Sequence, residues 1–185
     1  MLNGTVRTAG WVALMVSMSM AGGCDSGAAS RDHQWPEGEM PPLRAKHDPA
    51  RDRAWALTLS GVDLYEFKTR RMIRHIALPG WSWVGEPYGC APDLAIGPNG
   101  EALISSDVQP TLWRVHPGTL EVTRHVLVLD QDQDKDAGFS HLAYSAKHGA
   151  FVAVSSFYGS RWMIDASLKT ARKIQDTKGQ PKCAS

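Results

Sequence analysis

The chain has 185 residues, room for one domain with an appended segment. Its 43% apolar content belongs to globular proteins and excludes a wholly disordered chain. Twenty Lys and Arg offset 19 Asp and Glu, and no basic block occurs, so nothing implies a nucleic-acid partner.

At the N-terminus, Arg7 precedes an uncharged run from Trp11 to Met20, followed by Ala21-Gly22-Gly23-Cys24. A positive leader, a short apolar run and terminal small residues predict an export signal over residues 1–23. At roughly 10–14 residues the run is too short to span a bilayer. Small residues directly before a cysteine resemble the lipobox of bacterial lipoproteins. Gly22 and Gly23 fit it, and Ala21 stands where Leu is usual. The resemblance implies lipid attachment at Cys24 and an exported chain anchored on the periplasmic side of a bacterial membrane. Cleavage by a general signal peptidase is the alternative. Asp25 resembles the inner-membrane retention signal of enteric bacteria.

Residues 24–46 are rich in Gly, Ala, Ser, Pro and charge without periodicity, which predicts a flexible tether. Trp35 is its one large apolar residue, either docked on the domain or exposed.

From about His47 the chain repeats itself. Trp55, Leu103 and Val152 fall in register, at spacings of 48 and 49 residues. Ten residues later come Tyr65, Trp113 and Trp162, then Phe67, Val115 and Ile164. Arg74-His75-Ile76 matches Arg124-His125-Val126 and Arg172-Lys173-Ile174. Each copy consists of short apolar and β-branched runs between turn signals such as Gly97-Pro98-Asn99-Gly100, where Asn99 and Gly100 both tolerate positive φ. No stretch after the signal carries a 3.6-residue apolar stripe.

A repeat of about 40–50 residues with four antiparallel strands is the pattern of a β-propeller blade. A blade apolar on both faces must stack on neighbours to hide them. The expected fold is therefore all-β: an incomplete propeller over 47–182, with blades at about 47–80, 92–130 and 139–176. The recurring aromatic at Tyr65, Trp113 and Trp162 is expected to pack blade on blade. His75 and His125, at matching positions, are expected to share a structural role on the outer strand.

The segments APDLAIGPNGEALISSD, TLWRVHPGTLEVTRH and RWMIDASLKTARKI are similar to blades of the broad YVTN, NHL and SMP-30 propeller group. That resemblance covers roughly residues 47–176 and implies a fold, not a chemistry. Rings of this kind usually close with six to eight blades. Three blades would thus be the start of a longer ring, either truncated or completed by oligomerisation. Residues 183–185 fall where a fourth blade would begin. Cys90 and Cys183 lie 93 residues apart, close to two repeats, too far around a ring for the roughly 7 Å Cα limit of a disulfide. Unpaired thiols are the expectation unless the tail folds back, although an exported chain permits pairing.

Asp130, Asp132, Asp134 and Asp136 supply hard oxygen ligands at alternate positions, as Ca²⁺ requires. Lys135 and His141 replace the Gly and Glu of an EF-hand loop, so a looser calcium loop or a solvated connection remains. Trp81, Trp83 and Tyr88, in the loop after the first blade, either line one mouth of the channel and contact a ligand or seal the blade end. Two function classes stand. The first is a non-catalytic, membrane-anchored binding or scaffold module for an envelope protein or component, with no required cofactor. The second is a metal-dependent hydrolase of the SMP-30 and gluconolactonase type. That family's metal-binding Asn cannot be placed, because only Asn3 and Asn99 occur. A quinone-dependent dehydrogenase is weaker still, lacking that family's docking motifs and a haem site.

Overall fold

The structure, a computed structural model, describes residues 41–83, 90–130 and 138–176. It is all-β. The first sheet runs β1 (Arg44–Asp48), β2 (Arg53–Leu57), β3 (Val62–Glu66) and β4 (Met72–Ile76) as an antiparallel meander. The second repeats this with β5 (Leu94–Ile96), β6 (Ala102–Ser105), β7 (Thr111–Val115) and β8 (Val122–Val126). After the short β9 (Val128–Leu129), the third contains β10 (Phe139–Ser145), β11 (Ala150–Ser155), β12 (Arg161–Ile164) and β13 (Thr170–Gln175). Three meanders packed in sequence are three blades of an incomplete propeller, the architecture expected from the repeat.

Backbone conformation carries the repeat more faithfully than side chains do. In the turn between first and second strands, Asp52, Gly100 and Gly149 all adopt positive φ (53°, 86° and 58°), at the same 48 and 49 spacing. Between third and fourth strands, Arg70, Leu120 and Leu168 do the same without being glycine. Asn99 keeps negative φ, so the Gly97–Gly100 turn closes through Gly100 N–H to the Gly97 carbonyl, 3.0 Å away.

Facing explains which residues are buried. Residues directly opposite each other in an antiparallel pair project to the same side of the sheet. Trp55 stands opposite Leu64, and both join Leu94, Ile104 and Trp113 in the core between the first and second blades. Leu103 and Leu112, on the other side of the second blade, join Phe139, Phe151, Ala153 and Trp162 in the core between the second and third. Trp113 and Trp162 thus each pack back onto the preceding blade, as expected. Tyr65 stands opposite Ala54, on the side of the first blade facing away from the second. Val152 continues the forward-facing series of Trp55 and Leu103. With Val154 and Met163 it is only half-buried, because no described blade follows.

Several expectations need correction. The first blade begins at Arg44, not His47. RAKHD has no apolar alternation, and β1 is recruited by its pairing along the whole of β2. Val128 and Leu129 leave the second blade to pair in parallel with Thr170 and Ala171 on the outer edge of the third. His75 and His125 do not share a role. His75 faces away from the second blade, with Nδ1 2.6 Å from Asp63 Oδ1, whereas His125 stands opposite Leu112 on the side facing the third. The bulge between Leu64 and Tyr65 displaces the first blade's outer strand relative to the repeat. Cys90 is disulfide-bonded, against the expectation of a free thiol, with its partner outside the described residues.

Candidate functional site

In each meander the second and fourth strands run the same way, so the turn after the second and the connection leaving the fourth gather at one end of the blade. The nominated residues that are described, Trp81, Trp83 and Asp130, lie at this loop end. Trp81 is half-buried, its indole edge-on to Trp113 with centroids 5.3 Å apart, and its Nε1–H donates to the Leu59 carbonyl at 3.1 Å. Trp113 Nε1–H in turn donates to the Pro79 carbonyl at 2.9 Å. Trp81 therefore closes the seam between the first two blades. Trp83 is half-buried, and its indole N–H has no hydrogen-bond partner among the described residues. Tyr88 lies outside them.

Of the four aspartates, Asp130 alone is described. Its Oδ1 accepts the Lys173 main-chain N–H at 3.0 Å, and its own N–H donates to the Ala171 carbonyl at 3.1 Å. It thereby covers the outer edge of β13 where β9 stops. Asp132, Asp134 and Asp136 lie outside the described residues, as does Cys24. Among the described residues no cluster of three or more His, Cys, Asp or Glu is arranged to hold a metal ion.

Two acidic residues that sequence reading missed sit at this end. Asp93, just before β5, is 5% exposed. Its Oδ1 accepts the Leu94 N–H and its Oδ2 the Leu142 N–H, both at 2.8 Å. Arg44 Nε approaches Oδ1 to 3.7 Å. One carboxylate thus links the first strands of all three blades. Asp107, in the turn after β6, is 1% exposed, and neither carboxylate oxygen has a hydrogen-bond partner among the described residues. Burial pushes its carboxyl up to about 6, its own main-chain amide opposing in part. Gly138 lies against it: a Cβ there would come within 2.1 Å of the Asp107 carbonyl carbon. The Gly138 carbonyl accepts the Ser156 N–H at 2.8 Å, and the Ser156 hydroxyl is buried without a partner among the described residues. The Cys90 sulfur lies 3.9 Å from the Ser156 carbonyl. Ser105-Ser106 and Ser155-Ser156 recur at the same blade position, which is the one trace of this cluster in the sequence.

Asp107 carries a folded-state carboxyl raised from 3.8 to about 6, so it favours the fold when protonated. Stability is lost as pH rises from about 4 through 6, and the loss is complete above that. Asp107→Asn is expected to remove this slope and to raise stability at pH 7.5 by about 2 kcal/mol. Urea unfolding of both chains across pH checks it. Gly138→Ala, by contrast, forces backbone apart at a seam between blades. It is expected to cost about 2 kcal/mol or more in the same assay.

The loop end also projects apolar side chains into solvent. Leu59 in the first blade's turn, and Phe157 and Tyr158 in the third's, are 45%, 50% and 49% exposed. The described residues therefore define a partial β-propeller whose loop end combines a buried polar cluster with protruding apolar tips.

Similarity to known proteins supports that class and nothing finer. No protein-family model matches the chain, and no curated protein matches it. Among solved structures it is similar to Kuenenia stuttgartiensis hydrazine synthase, with TM-score 0.56 and 12% identity over 81% of this chain and 41% of that one. It is also similar to the dihydro-heme d1 dehydrogenase NirN in complex with DHE, with TM-score 0.51 and 14% identity over 77% of this chain and 30% of that one. At such identities the likeness is one of fold alone, and the chain spans less than half of either neighbour.

Proposed function

We propose that the chain is an extracytoplasmic lipoprotein, anchored through Cys24, whose propeller blades bind a protein or other component of the cell envelope. Leu59, Phe157 and Tyr158 carry this reading. Large apolar side chains projecting from the tips of two blades at one end are the surface feature that partner binding uses. The export signal and lipobox-like sequence supply the location. The blades supply a rigid platform, with Trp81 and Trp113 fixing the seam beneath the tips.

A photo-reactive residue at position 157 of the full-length chain, expressed in the source cells, tests this reading. It is expected to give a discrete adduct in the membrane fraction that is lost with Cys24→Ala. The same probe at Thr123, on an outer strand, is expected to give none. Equal adducts from both positions, or none from either, would contradict the reading. Calcium-dependent lactone hydrolysis by the purified chain would favour the hydrolase instead.

A further inference from the structure

At the opposite end, the seam between the second and third blades opens into a cleft of about 160 Å³. Its origin is a change in side-chain size along the seam. Near the loop end Phe139 and Trp162 fill the space edge to face, with centroids 6.3 Å apart. At the other end Gly149, Ala150 and Ala166 leave it open. The walls are apolar: Leu103 from the second blade, and Tyr144, Phe151 and Leu168 from the third. Tyr144 and Phe151 meet edge-on at 5.3 Å, which fixes one wall as a rigid aromatic surface.

Two opposite charges line the same cleft. Arg114 stands opposite Leu103 in the β6–β7 pairing, and Glu101, just before β6, lines the same cleft. Both charges thus reach the cleft from the second blade. They do not form an ion pair. Glu101 is 6% exposed and turned onto the Gly97–Gly100 turn, where its Oε2 accepts the Asn99 N–H at 3.0 Å. Gly97 permits this, since a Cβ there would lie 2.3 Å from Glu101 Oε1. The half-buried Arg114 guanidinium has no hydrogen-bond or ion-pair partner among the described residues. The pKa of its neighbour His125 is lowered, by burial first and by the Arg114 charge second.

We propose that this cleft binds a small apolar α-amino acid, with Arg114 receiving the carboxylate, Glu101 the ammonium, and the Leu103, Phe151 and Leu168 walls the side chain. A guanidinium matches a carboxylate with two parallel hydrogen bonds, and a desolvated one left unmatched is costly. A simple anion would meet Glu101, and a simple cation would meet Arg114. A ligand bearing both charges a few ångströms apart satisfies the pair. The volume lies below the roughly 300–1,000 Å³ of pockets for drug-sized molecules, which restricts the ligand to a small one.

Calorimetric titration of the full-length chain in detergent with L-phenylalanine tests this site. The expected result is one-to-one binding, weakened about tenfold or more for 3-phenylpropionate, which lacks the ammonium, and for 2-phenylethylamine, which lacks the carboxylate. Arg114→Gln is expected to weaken L-phenylalanine by about tenfold or more, while Arg124→Gln, on an exposed outer-strand position, leaves it unchanged. Circular dichroism confirms that each variant folds, and the comparison of the three ligands on the wild-type chain needs no variant. Absence of saturable binding by L-phenylalanine, equal binding of 3-phenylpropionate, or indifference to Arg114→Gln in a folded chain would each overturn the proposal.

Discussion

A Trp113→Ala chain is expected to unfold in urea with a stability lower by about 4 kcal/mol, among the largest single losses the fold can show. Trp113 is 2% exposed and lies in the core that joins the first blade to the second. Truncation removes the indole from contact with Trp81 and leaves the Pro79 carbonyl without its 2.9 Å donor. It also opens a cavity at a seam whose two sheets are held by their own hydrogen-bond ladders and cannot collapse into it. Because Trp81 packs edge-on against the same ring, the Trp81→Ala and Trp113→Ala losses are expected to be less than additive, by about 1 kcal/mol. A double-mutant cycle measures that coupling. Full additivity would mean that Trp81 does not lean on Trp113.

Asp93→Ala is expected to cost about 3–5 kcal/mol, which is large for removal of one small side chain. The carboxylate accepts main-chain N–H bonds from Leu94 and Leu142, so its loss strands two buried donors on the first strands of two different blades. Asp93→Asn preserves shape but places an amide NH₂ against one of those N–H groups, and about 2 kcal/mol is the expected loss. The result that separates this role from simple charge pairing is salt dependence. Asp93 is 5% exposed, so its contribution is expected to survive high ionic strength, as a surface ion pair would not. A stability loss that vanishes in high salt would assign the effect to Arg44 instead.

The parts of this fold legible in the sequence are those written in side-chain size and turn chemistry. Trp113 and Trp162 recur where two blades must be sealed, and the 48- and 49-residue spacing reappears in the left-handed turn residues Asp52, Gly100 and Gly149. The hidden parts depend on which groups the fold brings together. A two-residue strand pairing in parallel, Val128–Leu129 on β13, has no local signature. A bulge beside Tyr65 separates His75 from His125 although their sequence contexts match. Asp93 and Asp107 each look like one polar residue beside an apolar run. Only the packing of the third blade turns one into a bridge between strands and the other into a buried carboxylate without a hydrogen-bond partner among the described residues. Arg114 is one charged residue in an apolar strand, and only the packing of the third blade leaves a cleft beside it.

Three blades radiate from their first strands, and among the described residues the third alone has its outer edge covered by a further strand. Residue-resolved hydrogen exchange of the purified chain tests this arrangement most directly. The slowest amides are expected in β5, β6 and β7, flanked by blades on both sides, and fast exchange in the outer strands β4 and β8. The Lys173 amide on β13 is expected to exchange more slowly than the edge amides of β4 and β8, because Asp130 accepts it at 3.0 Å beside the parallel β9 pairing. Exchange at Lys173 as fast as along β4, together with no extra protection across β5 to β7, would contradict the account.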